Sequence, residues 1–102
     1  MKIIQRLSEL IEGEINDAGE YAKLAVMYKE SDPKLGQMFF NLASAEMEHM
    51  KILHNAVADK ITEYRNTHGD PPETMLAVYD YLHGKHIDNA GAVKATLSMF
   101  RE

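Results

Sequence analysis

The sequence predicts an all-α protein: a long antiparallel helical hairpin followed by a third helix. Apolar residues recur three and four positions apart along most of the 102-residue chain, as the buried face of a helix requires. Signals that stop one helix and start the next gather at only two places, ESDPK and THGDPPE. No run alternates as a half-buried strand does, and only three prolines interrupt the chain. A chain of this length is expected to fold as a single domain over residues 1–102.

Ile4, Leu7, Leu10, Ile11, Ile15, Ala18, Ala22 and Ala25 line one face of a first helix, expected from about residue 2 to 30. It ends at ESDPK, where Asp32 can cap the next helix and Pro33 takes a first-turn position whose N–H would have no helical partner anyway. So short a loop makes the first two helices antiparallel neighbours. The second stripe reads Leu35, Met38, Phe39, Leu42, Leu53, Ala56, Val57, Ile61 and Tyr64, which predicts a helix over about residues 33–67, closed by Gly69 as a left-handed cap. Asp70 as N-cap, the two following prolines and Glu73 for a capping box predict a third helix over about residues 71–101. Its apolar line is Met75, Tyr79, Leu82, Val93, Leu97 and Phe100, and Gly84 and Gly91 are expected to break or bend it around HIDNAG.

Composition excludes several classes of function. Sixteen acids against 11 bases give a net charge of −5, and no stripe of Lys and Arg offers a surface for nucleic acid or anionic lipid. No apolar stretch approaches the roughly 20 residues of a membrane span, and the N-terminus becomes charged too soon for a signal peptide. A cytoplasmic location is the expectation. With no cysteine, any bound metal must be held by Glu, Asp and His.

Three polar residues interrupt the apolar stripes. Continuing the first stripe by its own period predicts an inward residue at position 14, which is Glu14; the second stripe predicts inward positions at Glu46 and His49. A carboxylate withdrawn from water without a partner costs several kcal/mol, a large share of the roughly 5–15 kcal/mol that holds a domain together. Lys23, Lys29, Lys51 and Arg65 lie off the stripes, so a multivalent cation is the efficient counter-charge. Residues three apart on a helix lie side by side, so Glu46 and His49 can reach one ion. The competing reading makes them half-exposed residues of an acidic face.

LIEGEINDAGEYAKLA followed by DPKLGQMFFNLASAEMEHMKIL resembles the first helical hairpin of the rubrerythrin branch of the ferritin-like superfamily. In that family a Glu on the first helix, with a Tyr seven residues later, faces a Glu-x-x-His on the second; Glu14 and Tyr21 match the former, Glu46 and His49 the latter. The resemblance covers roughly residues 7–57. It implies a di-iron carboxylate protein, with Fe as the metal and Mn or Zn as alternatives, that oxidises Fe(II) with oxygen or peroxide. The family carries two such hairpins in one chain and this sequence has one.

Two ways of completing the ligand set stay open. Two chains can pair about a two-fold axis to form a ferritin-like four-helix bundle, similar to the half-length encapsulated ferritins; the self-association expected is a homodimer or a higher even oligomer. Alternatively DYLH acts as a degenerate Asp-x-x-His, with Asp80 and His83, or His86, completing a site within one chain. The rubrerythrins also carry a cysteine-ligated iron domain for electron delivery; this sequence has no cysteine, so peroxidase turnover of that kind would need an external electron donor or acceptor of unknown identity and is not expected, whereas ferroxidase activity or iron sequestration is. A non-catalytic helical interaction module with a degenerate metal site is the alternative function.

The remaining polar residues read as structural. His54 is expected in solvent and His68 at the negative end of the second helix dipole. His86 falls on the third stripe, where a carbonyl or Tyr hydroxyl is expected to satisfy it, with a ligand role as the alternative. Glu12, Glu20 and Glu48 are expected on solvated faces, and Tyr21 either in the core or donating its hydroxyl to a ligand carboxylate.

Overall fold

A computed structural model describes residues 2–101, which form three α-helices and no strand: α1 (Lys2–Tyr28), α2 (Pro33–His68) and α3 (Glu73–Arg101). The α1/α2 turn is built as its residues dictate. Asp32 N–H donates to the Tyr28 carbonyl at 2.9 Å, the Asp32 carboxylate accepts from the Leu35 N–H at 3.2 Å, and Pro33 opens α2. Just beyond, Gly36 is buried against α1, and a Cβ there would sit 3.1 Å from the Ala25 carbonyl oxygen and 3.2 Å from the Lys29 nitrogen. The hairpin closes this tightly only because that side chain is a hydrogen.

At the far end of α2, Gly69 takes φ 80°, and its N–H donates to the Arg65 carbonyl. The expected start of α3 is corrected. The helix begins at Glu73, and the Pro72 carbonyl accepts from the Met75 and Leu76 N–H groups. Asp70 instead projects its carboxylate into solvent, 94% exposed, 3.9 Å from the Arg65 guanidinium. The expected break around HIDNAG is also corrected, since α3 is continuous to Arg101. Glycine costs a helix only about 1 kcal/mol relative to alanine. Buried His86, Ala90 and Val93 on the same helix anchor it to α1, with Val93 Cγ2 lying 3.7 Å from where a Gly19 Cβ would stand.

The core is thin. Ala18, Ala22, Ala25 and Ala43 are fully buried, so α1 and α2 approach closely, and Val57 is the largest side chain completely out of solvent. α3 packs chiefly along α1 and reaches α2 through few residues, among them Phe100 stacked on Phe40 and His83 stacked on His54. The molecule is an elongated slab of 56 × 18 × 17 Å with a radius of gyration of 16.4 Å. A compact domain of this length has a radius near 13 Å. Leu10, Met38 and Leu42, expected inside, remain 39%, 44% and 37% exposed. Among the described residues, no helix is long and apolar enough to cross a membrane.

Candidate metal centre

Glu14 comes from the middle of α1, and Glu46 and His49 from successive turns of α2. The antiparallel hairpin brings them together. His49 Nδ1 lies 3.6 Å from Glu14 Oε2 and 3.7 Å from Glu46 Oε2, and one donor atom from each residue falls within 4.8 Å of the others. Donor atoms bound at about 2.1 Å to one ion lie about 3–4 Å apart, so the two separations from His49 are compatible with a shared ion. Among the described residues, no other group of three acids or histidines gathers in this way.

The environment of the two acids is more demanding than that of the histidine. The Glu14 and Glu46 side chains are 28% and 20% exposed, whereas His49 is 54% exposed. The expected inward placement is therefore realised in part: the acids are largely tucked between the helices and the imidazole stands at the rim. Glu14 Oε2 is buried and accepts no hydrogen bond. The separations from His49 exceed hydrogen-bond range. Among the described residues no Lys or Arg lies within ion-pair distance of either acid, and the His49 imidazole is the nearest basic group. A buried carboxylate oxygen with no donor is a costly arrangement that a bound cation would relieve, and two oxygens with one imidazole suit iron, manganese or zinc.

The centre lies on the open side of the hairpin. α3 packs where Glu12 meets Lys85 at 3.6 Å and where Gly19 meets Val93. Glu12 is two residues from Glu14 and so about 200° around the helix. The stripe that carries Glu14 also carries exposed Ile3 and Leu10, and the stripe of Glu46 and His49 carries exposed Met38 and Leu42.

Other candidates are placed elsewhere. Asp80 is exposed on α3, and His83 stacks on His54 with ring centroids 4.6 Å apart, so neither joins Glu14, Glu46 and His49. His54 is thus packed between helices, where solvent had been expected. His86 is buried as expected, but its Nε2 has no hydrogen-bond partner, so the expected carbonyl or Tyr hydroxyl is not supplied. Tyr21 stacks on Phe39 at 6.3 Å and does not donate to Glu14 Oε2. Glu12 and Glu48 hold Lys85 and Lys51, at 3.6 Å and 3.0 Å. His68 closes α2, stacked on Tyr64, with its Nδ1 2.6 Å from the Thr67 hydroxyl. The His54/His83/His86 grouping was not legible because it depends on the side of the hairpin against which α3 packs. No family model, no curated protein and no solved structure matches the chain.

Proposed function

We propose that two copies of the chain pair across the open face of the α1/α2 hairpin into a ferritin-like four-helix bundle, and that iron is bound between two sets of Glu14, Glu46 and His49. Fe(II) is the substrate, oxidised there by oxygen or peroxide. The observation that carries this reading is the buried, unpartnered Glu14 Oε2 beside Glu46 and His49, on a hairpin face that α3 leaves uncovered. Three donors from one chain do not fill the coordination sphere of an iron ion, and the half-exposed imidazole is open to approach by a second copy. Exposed Leu10, Met38 and Leu42 supply apolar surface for the contact.

Paired Fe(II) ions can each pass one electron to a single two-electron oxidant such as hydrogen peroxide. The chain's own part is to hold the substrate. Glu14 and Glu46 offer charge that compensates the rising positive charge of the oxidised ion, and His49 adds one neutral nitrogen donor. The elongated shape and thin core fit a chain that completes its bundle by association.

Anaerobic loading with Fe(II), followed by an oxygen pulse, tests the reading. About one Fe per chain and rapid oxygen uptake are expected, with both lost in Glu46→Ala. Zn bound at the same residues without oxygen uptake on Fe(II) addition would make the site a structural staple. A folded chain that takes up neither metal would leave the helical interaction module.

A further inference from the structure

The face of α3 turned away from the hairpin carries a second helix-pairing pattern. Val78, Tyr81, Lys85, Asp88, Ala92 and Ala95 follow one another at alternating steps of three and four, the spacing of a seam between paired helices. All six are exposed, on the opposite side of the helix from buried His86, Ala90 and Val93. Tyr81 and Val78 are 70% and 59% exposed, whereas a helix packed on one side ordinarily turns polar residues outward. Gly84 and Gly91 border this seam. A Cβ added at either would meet nothing within 4 Å, so no contact inside the chain accounts for residues that each cost a helix about 1 kcal/mol relative to alanine. Glycine also lets another backbone approach closely.

We propose that the outer face of α3 pairs with the same face of a second copy, the two helices running antiparallel about a two-fold axis that passes between Lys85 and Asp88. Charge selects both the occupant and its direction. An antiparallel seam sets Lys85 of each copy opposite Asp88 of the other, whereas a parallel seam would set Lys85 on Lys85 and Asp88 on Asp88. Asp88 has no ion-pair partner among the described residues. Lys85 meets Glu12 at 3.6 Å across exposed surface, and its ammonium has three donors, so it can serve both acids.

Size follows the same register. Tyr81 comes opposite Ala92 and Val78 opposite Ala95, each a large side chain against a methyl, and one step further Met99 comes opposite Thr74. On the flank Gly84 comes opposite Gly91, which removes the side chains that would hold the helices apart. One pair of helices covers less than the roughly 1,200 Å² of a standard interface, and the contact is correspondingly weak, with a Kd of about 0.1–1 mM. It needs no metal and none of Glu14, Glu46 or His49. Where iron has already paired two chains across the open face, the α3 contact links such pairs into higher even assemblies.

The metal-free chain, kept with a chelator, tests this by sedimentation equilibrium. A mass near that of two copies is expected at about 1 mM and of one copy at about 10 µM, a concentration at which the contact does not disturb the measurement of iron-driven pairing. Lys85→Asp and Asp88→Lys are each expected to weaken association about tenfold, and the double substitution to restore it. The chain has no cysteine, so single cysteines report the register. With glutathione disulfide as the oxidant, itself reduced to the thiol, Val78→Cys mixed with Ala95→Cys should form a disulfide-linked dimer. Neither variant alone should do so, because in this register identical positions lie about 25 Å apart. One copy's mass at about 1 mM, a double charge substitution no better than either single one, or Val78→Cys joining itself as readily as Ala95→Cys would each overturn the proposal. Glu46→Ala should leave the association unchanged, so the outcome is separate from that for iron.

Discussion

The two sides of the α1/α2 hairpin solve opposite problems with the same helices. On one side α3 covers the hairpin through mostly apolar and aromatic contacts, Val93 near Gly19, Phe100 on Phe40 and His83 on His54, with Glu12 paired to Lys85 at the edge. On the other side, among the described residues, none of α3 joins Glu14, Glu46 and His49, and Leu10, Met38 and Leu42 on the same stripes stay more than a third exposed. The covered side is organised for stability. The open side keeps two acids close together, against their mutual repulsion, which is an arrangement that costs stability unless a cation is present. Residues that lower stability on one face and raise it on the other can be separated by substitution.

The sharpest separation is expected from Glu14→Ala combined with Glu46→Ala. Equilibrium dialysis against Fe(II) should show binding lost altogether, whereas thermal unfolding of the metal-free chain should be unchanged or raised. Val57→Ala, beneath the hairpin, should do the reverse: a loss of about 2 kcal/mol in urea unfolding, with donor residues intact and Fe(II) still bound. Gly36→Ala comes next. The added methyl meets the Ala25 carbonyl oxygen and Lys29 backbone, and the crowding should exceed the helix-propensity gain, for a net loss of about 1 kcal/mol. Retained stability in Gly36→Ala would mean that the hairpin can open by a few tenths of an ångström.

The smallest effect is expected from acid on the covered side. His54 and His86 are both held below the ordinary histidine value by burial first, so the unfolded chain binds protons more readily than the folded one. Stability should be full above the unfolded histidine pKa of about 6.5 and decline as the pH falls below it. Denaturant midpoints measured from about pH 8 to pH 5 should show this decline, and His54→Gln should flatten it. A midpoint that does not move over that range would contradict the burial of these rings.

How much of this was legible in the sequence follows from period and charge. The three helices, the ESDPK turn and the Gly69 cap were readable because Asp32, Pro33 and Gly69 act through local backbone geometry that needs no partner helix. The start of α3 was misread at Asp70, since a capping box is a short pattern and Pro71 and Pro72 shift the first helical turn to Glu73. Its continuity was hidden because the packing of Ala90 and Val93 on α1, which outweighs two glycines, is a tertiary fact. Glu14, Glu46 and His49 could be brought together on paper because each interrupts an apolar stripe. Their degree of exposure could not, because it depends on which side α3 chooses. The pairing of His54 with His83 had the same cause, joining residues 29 positions apart through that choice.

The central claim is that the open side is completed by a second copy and iron. Sedimentation equilibrium of the purified chain with and without Fe(II), under anaerobic conditions, tests it most directly. The account predicts twice the chain mass in the presence of Fe(II), with association weakened by Glu46→Ala and by Leu42→Glu. A chain that binds Fe(II) tightly while staying at the mass of one copy would contradict it.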